Sequence, residues 1–372
     1  MSRGNAMSGA LMESAPAAET IIDGRRYLYF GGTGYYALQN HPALLKAAAD
    51  ALATYGMHSA TFRGGFGTTP LYVAVEQKAA QFFGTGDAAY IASGYLSNIA
   101  GFQALAETTQ FAAVFFDDQA HYSLTDFLHL LRAPAVAFAH ADPDDLERKL
   151  RAHVRSGQRI LLVSDGVFPL MGEVAPVPAY LKVAAPYEAW VWLDDSHGVG
   201  VLGAHGRGTC EHYGLASDRV LFGGTLSKAF GSFGGIIPGP RPFIRMIRSG
   251  HVMNGATSPT SSAAAWALTS IELLTRHPEW RAQLRDNARH VKAGLRAMGI
   301  PVGDSPLPIA AWTLDSAEEM DRIQRALMDR GICIQRAYYP GAGAGGALRI
   351  VVFSSHTAGQ IDRLLGELKS LL

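Results

Sequence analysis

The 372-residue chain carries 32 lysines and arginines against 32 aspartates and glutamates, so no basic field is available to hold nucleic acid. With 48% hydrophobic and 17% charged residues it has a globular and not a disordered composition, and it is long enough for one large domain plus a smaller one. No uninterrupted apolar run approaches membrane-spanning length, and two cysteines, Cys210 and Cys333, are too few for a disulfide framework and suit a reducing cytoplasm.

The opening residues, to about position 20, are rich in Ala, Ser, Gly and Met and lack the apolar core of a signal peptide. They read as a mobile tail, with Met7 as an alternative start. Residues 26–30 then read as a short strand, followed by the turn Gly31-Gly32-Thr33-Gly34. From His41 to Tyr55 the apolar residues recur at helical spacing, with Pro42 in the first turn, where its missing N–H is harmless. A glycine-rich loop over residues 64–69 precedes a second helix from Pro70 to Phe83.

Beyond it, short apolar runs alternate with helical stretches: residues 89–91, 113–116, 135–138, 160–163, 190–193 and 220–222. Continuous apolar runs of this length, separated by helices, are what a parallel sheet buried on both faces requires. The expectation is an α/β layer architecture over roughly residues 45–250. A long helical stretch from Ser261 to Met298 leads to runs at 310–314, 332–334 and 348–352, expected to form a small α+β domain that closes with a helix from His356. The division expected is a tail and short arm (1–45), a large domain (46–255) and a small C-terminal domain (256–372).

Ligands of an open α/β sheet sit at the carboxyl ends of its strands, so the polar residues directly after the apolar runs are where chemistry is sought. After 190–193 come Asp194-Asp195-Ser196-His197-Gly198. A carboxylate there can pair with the protonated nitrogen of a pyridoxal ring and keep the ring an electron sink, and a histidine three residues on can bond its phenolic oxygen. The same residues would serve in a helix-capping turn or as metal ligands, but no second His, Asp or Glu cluster at ligand spacing supports a metal.

Ser93-Gly94-Tyr95 opens a helical stretch, and a small-Gly turn at a helix start offers free N–H groups and a positive dipole end to a phosphate. An ordinary serine cap is the alternative. His121 follows the run 113–116 and can stack over a planar ring. Thr225-Leu226-Ser227-Lys228 places a lysine among small hydroxyl residues beside the glycines at 231, 234 and 235. A lysine that forms a Schiff base needs close backbone approach to its ligand and an environment that lets the ammonium lose a proton. Gly198, Gly200 and Gly203 match the dinucleotide pattern, but a lone match followed by Ala204-His205-Gly206, a poor helix start, is weak, and a nicotinamide role is set aside.

Taken together, these segments resemble the α-oxoamine synthase family of fold-type I pyridoxal-phosphate enzymes. The resemblance runs from about residue 30 to 356. It rests on Ser93-Gly94-Tyr95 with Asn98, His121 with Ser123, Asp165-Gly166, Asp194 through Gly198, the loop Gly203 to Gly208, Thr225 with Lys228, and Leu348-Arg349-Ile350. It implies a large domain with a mostly parallel central sheet flanked by helices, a small C-terminal α+β domain, and a homodimer, which with the cytoplasmic setting read from the cysteines completes the expectation.

The resemblance also implies roles. Lys228 would hold pyridoxal 5'-phosphate and act as acid and base at the substrate Cα, Asp194 would pair with the ring nitrogen, His197 with the phenolic oxygen, and His121 would stack on the ring. Ser93, Gly94, Tyr95 and Thr225 would bind the phosphate, Asp165 would stand at the cofactor, and Thr257 and Ser258 would reach the neighbouring subunit's phosphate site. Arg349 would grip the amino-acid carboxylate, with Gly34, Tyr35 and Arg63 at the same substrate end.

The chain departs from the family pattern at Gly34, where an asparagine is usual, at Tyr72 for histidine, at Asp165 for glutamate, and at Pro169-Leu170-Met171-Gly172 for Ser-Met-Asp-Gly. The implied reaction is condensation of a small α-amino acid with an acyl thioester, on coenzyme A or a carrier protein, with loss of CO2 to give an α-amino ketone. Transamination, retro-aldol cleavage or racemisation on the same cofactor are the alternatives. A non-catalytic partner subunit is a further one, and retention of Lys228 with Asp194 and His197 argues against it.

Overall fold

A computed structural model describes residues 9–216 and 218–372; residues 1–8, Met7 among them, lie outside the described residues. The chain forms two compact units: Met1–His41 with Pro169–Glu173 and His277–Leu372, and Pro42–Phe168 with Val174–Arg276. No helix among the described residues is long and apolar enough to cross a membrane.

The smaller unit begins with β1 (Glu19–Ile22) and β2 (Arg25–Phe30), an antiparallel hairpin. Its turn is Asp23-Gly24, both at positive φ (47° and 72°), the geometry that matches the twist of paired strands. The expected mobile tail is therefore ordered over its described length near this hairpin. Met12 bridges Ile22, the Leu11 N–H donates to Asp23 Oδ1 at 2.8 Å, and Ser14 Oγ bonds Thr20 Oγ1 at 2.9 Å.

Seven strands follow in the larger unit: β3 (Asp87–Ile91), β4 (Ala113–Asp117), β5 (Ala135–Phe138), β6 (Arg159–Asp165), β7 (Glu188–Asp194), β8 (Val220–Thr225) and β9 (Gly235–Gly239). They form one sheet in the order β3-β9-β8-β7-β6-β4-β5. The neighbours from β8 through β5 are parallel, and β9 runs antiparallel to both β8 and β3. The apolar runs read from the sequence are these strands; β9 is the addition. Gly235-Ile236-Ile237-Pro238-Gly239 is not among the apolar runs, and Pro238 has no N–H to give a ladder, yet all five residues are buried in the sheet.

The core of this unit joins Val114, Leu161, Trp192 and Ile237 from the sheet to Phe102 and Leu105 from the helix Gly94–Thr108. That helix lies against the sheet at Gly101, where a Cβ would collide with the Trp192 indole. The helical stretch expected over 261–298 is two helices, Ser261–Arg276 and Pro278–Ala297. Pro278 can only open a helix, because it lacks the N–H and its ring excludes helical geometry at the residue before it.

The smaller unit resumes with β10 (Ile309–Trp312), β11 (Ile332–Ala337) and β12 (Ala347–Val351), giving the sheet β1-β2-β11-β12-β10. Because β2 pairs in parallel with β11, the N-terminal arm falls in one unit with the C-terminal residues. Its core packs Phe30, Trp312 and Ile350 against Leu295, Ile323 and Leu364 of three helices. The closing helix starts at Ala358, with Thr357 and Gln360 forming a capping box. His356, expected to start it, is buried and stacks on Phe30 at 4.1 Å.

Because the helix touches the sheet at Gly101, Gly101→Ala is expected to lower stability by about 1–3 kcal/mol through overpacking against Trp192. Urea unfolding should show a lower midpoint with an unchanged slope.

Candidate active site

Parallel pairing of β6 and β7 sets Asp165 beside Asp194 at the carboxyl ends of two central strands. Asp194 is 6% exposed. Its Oδ2 accepts from Asn98 Nδ2 at 2.7 Å and Ser123 Oγ at 3.3 Å, and its Oδ1 accepts from the Ser196 N–H at 3.0 Å. Trp192 Nε1 donates to Asn98 Oδ1 at 2.9 Å, which leaves the Asn98 amino group aimed at Asp194. Asn98 and Ser123 carry the family resemblance in the sequence but were given no role at the site from it. The signal for Asn98 was present: it lies four residues after Gly94, on the face of the helix that carries Gly94.

The His121 N–H donates to Asp165 Oδ2 at 2.8 Å, and its Nδ1 bonds Ser123 Oγ at 2.7 Å. Burial lowers the His121 pKa, the Asp194 charge opposes this, and the Lys228 charge adds to it. The Asp165 carboxyl is pushed well above the ordinary range, first by burial and then by Asp194, against the His121 hydrogen bond and the Lys228 charge. Lys228, half-buried in the turn after β8, is thus within electrostatic reach of both groups. His197 is buried in the turn that follows β7.

At the start of the helix Gly94–Thr108, Ser93 Oγ accepts from the Leu96 N–H at 3.2 Å. The first N–H groups of an α-helix, here from Gly94 and Tyr95, have no intrahelical acceptor. Gly94 lies against Thr225: a Cβ there would sit 2.7 Å from the threonine Cβ. Thr225 Oγ1 bonds Ser227 Oγ at 2.8 Å, so two hydroxyls stand beside a helix N-terminus. Tyr95 is exposed and meets Phe127 edge-on at 5.4 Å. Thr257 is exposed and Ser258 half-buried in the loop before the helix Ser261–Arg276.

The glycine pattern at 198–203 does not open a helix of any length. Its loop surrounds Asp195, which takes hydrogen bonds from the Thr209 N–H and Oγ1, both at 2.7 Å. A Cβ at Gly166, Gly198 or Gly208 would collide with that carboxylate. Burial pushes Asp195 up to about 7 against the Thr209 bonds.

The expected substrate residues divide. Arg349, on β12 of the smaller unit, is 1% exposed. Its Nε donates to the Pro169 carbonyl at 3.0 Å and its Nη1 to Gln335 Oε1 at 3.1 Å and the Gly32 carbonyl at 3.5 Å. Nη2 is buried and has no partner among the described residues. Burial lowers the Arg349 pKa, and Tyr35, Tyr339 and Tyr29 oppose this. Tyr35 is buried and its carbonyl accepts from the Ser354 N–H at 2.8 Å, while Gly34 lies close against the Gln39 side chain.

Arg63, in the larger unit, is placed otherwise than expected. It forms a two-point pair with Glu76 (2.6 and 3.1 Å), reaches the Tyr90 carbonyl, and lies 5.1 Å from the Tyr72 ring centre. Its fork is committed to Glu76.

A mostly parallel seven-stranded sheet with a lysine after β8 and a buried carboxylate ending β7 defines a fold-type I pyridoxal-phosphate transferase. The model of the aminotransferase class I and II family matches residues 32–368. The chain is 31% identical over 363 residues to the 8-amino-7-oxononanoate synthase of Alkaliphilus oremlandii (97% of this chain, 91% of that one). With the enzyme of that name from Methylococcus capsulatus it shares 35% over 358 residues (95% and 92%). A variant of serine palmitoyltransferase from S. paucimobilis, with bound PLP–myriocin aldimine, superposes with a TM-score of 0.90 at 29% identity, covering 98% of this chain and 92% of that one.

The chain belongs to the aminotransferase class I and II family and, within it, to the α-oxoamine synthases. It is a pyridoxal-phosphate-dependent acyltransferase that condenses an amino acid with an acyl thioester. The residues present fit the cofactor. Asp194 is buried among uncharged donors, two hydroxyls flank a helix N-terminus for a phosphate, and burial disfavours the charged form of His121.

Borohydride reduction of the holoenzyme, followed by peptide mass mapping, should attach the pyridoxyl group at Lys228 and nowhere else. Lys228→Ala should abolish the label. Asn98→Ala, which strips a 2.7 Å hydrogen bond from Asp194, should weaken cofactor retention about tenfold, read by dialysis against apoenzyme.

Proposed function

We propose that Arg349 receives the carboxylate of a small α-amino acid, and that this amino acid is condensed with an acyl thioester to give an α-amino ketone. One observation carries the reading: a buried guanidinium whose acceptors are all uncharged keeps a nitrogen without a partner among the described residues. A buried cation in that state calls for an anion, and a planar fork suits a carboxylate.

The residues then divide the work. Asp194 would hold the ring nitrogen of the cofactor, His197 its phenolic oxygen, and His121 would stack on the ring. Ser93, the N–H groups of Gly94 and Tyr95, and the Thr225 hydroxyl would hold the phosphate, with Thr257 and Ser258 serving the neighbouring subunit. Asp165 fixes His121 through its backbone N–H. When bound, the cofactor supplies an electron sink for the pair left at the substrate Cα. Lys228 Nζ takes the Cα proton; Cα attacks the thioester carbonyl and expels the thiolate. The resulting β-keto acid loses CO2, and Lys228 returns a proton to Cα.

The curated relatives' name, 8-amino-7-oxononanoate synthase, supports a product of this kind. A homodimer is supported by exposed apolar side chains concentrated in one stretch of the larger unit: Leu45, Leu52, Tyr55, Met57, Phe62 and Phe66, the last 98% exposed. A cytoplasmic setting is supported by two free cysteines.

Glycine, L-alanine and L-serine carrying a 14C carboxyl, each with and without acyl-CoA, test the reading. Label should leave as CO2 only when the thioester is present; release without it would mean a different reaction. Arg349→Ala should raise the amino-acid KM about 100-fold and leave the thioester KM and the cofactor's visible band unchanged.

A further inference from the structure

Lys292 has no part in the chemistry above, yet it is a buried lysine, 3% exposed, on the helix Pro278–Ala297 of the smaller unit. It forms no ion pair among the described residues. Its Nζ donates to the Ser305 carbonyl at 2.6 Å and to Ser305 Oγ at 2.9 Å. Burial pulls it down to about 8, against the Asp304 charge and with that of Arg296. Burying an ammonium without a carboxylate is costly, so the arrangement needs a reason.

Ser305 passes the interaction on. Its Oγ donates to the Gly172 carbonyl at 2.6 Å. Gly172 belongs to Pro169–Glu173, the five-residue segment that joins the smaller unit although its sequence neighbours lie in the larger one. The segment is seated along its length. Gly172 sits at φ 67° against Ile309 of β10, where a Cβ would come within 2.8 Å of the isoleucine Cβ, and Leu170 packs with Ala311 and Ala347. At its other end the Pro169 carbonyl holds Arg349 Nε at 3.0 Å. Donors therefore tie the strap at both ends: Ser305, itself held by Lys292, at one and Arg349 at the other.

We infer that Lys292 and Ser305 are positioning residues for amino-acid binding: they fix the Pro169–Glu173 strap, and the strap's first carbonyl sets the plane of the Arg349 guanidinium. The inference rests on Arg349 being the carboxylate receptor. The pair act on the substrate only through that strap and that arginine.

The test is a double-mutant comparison on the holoenzyme. The amino-acid dissociation constant is read by titrating glycine, L-alanine and L-serine against the cofactor's visible band, alongside KM, kcat and Tm. Ser305→Ala and Lys292→Met should each weaken binding of the amino acid about tenfold, with kcat and the thioester KM within about twofold of wild type. Ser305→Thr, which keeps the hydroxyl, should restore binding. In an Arg349→Ala background, Ser305→Ala should add less than about twofold.

An unchanged dissociation constant in Ser305→Ala overturns the inference while leaving the Arg349 reading intact. A tenfold loss that persists in the Arg349→Ala background overturns it too, because the effect would not run through the arginine. If Arg349→Ala itself leaves amino-acid binding unchanged, the carboxylate reading fails, and this inference with it.

Discussion

A carboxylate buried at the end of a central strand must take its hydrogen bonds from groups that cannot drift away, and most of the larger unit is arranged around that demand. Asp194 is supplied by Asn98, and Asn98 is oriented by Trp192, two residues before Asp194 on the same strand. This closed circuit works only if the helix Gly94–Thr108 lies almost on the sheet. Gly101, under the Trp192 ring, permits the approach. The same approach brings the helix N-terminus against Thr225 at the end of β8. One helix position therefore sets both the carboxylate proposed to meet the cofactor ring and the amides proposed to meet its phosphate, and their spacing is fixed by backbone rather than by mobile side chains.

Neighbouring aspartates at these strand ends have different fates for electrostatic reasons. Asp165 is driven toward its neutral form by burial and by Asp194 alongside, and its strongest bond holds the backbone of His121. Asp195 faces a shell of glycines and two donors from Thr209 and organises the loop behind the site. That loop explains the dinucleotide-like glycine spacing: the glycines make room for a carboxylate, not for a pyrophosphate.

Much of the larger unit was legible in the sequence because a parallel sheet buried on both faces needs uninterrupted apolar strands, and the chemistry follows directly after them. That rule directed the search to Lys228, Asp194 and His121. What it cannot see is structure carried by exceptions. β9 contains Pro238 and two glycines and is held by burial rather than by its own strand preference. β1 was lost in a low-information tail, although Asp23-Gly24 is a strong hairpin signal. The break before Pro278 was overrun because apolar spacing continues across it. Arg63 was misplaced for another reason: its partner Glu76 is 13 residues away on a helix, and no local pattern announces a buried ion pair.

The smaller unit shows how a departure from a family pattern can be absorbed. Proline at 169 has a carbonyl but no N–H, so at the point where it meets Arg349 the strap offers an acceptor and nothing that competes for one. Pro169, Gln335 and Gly32 together satisfy part of the guanidinium through dipoles, and none of them neutralises its charge. Tyr35 and Tyr29, both pushed up by burial, supply no anion at neutral pH. A buried cation bonded on one edge and uncompensated on the other carries a desolvation cost that the fold itself does not offset. Under the proposed function that cost is recovered on binding, as affinity for the amino acid rather than as stability of the fold.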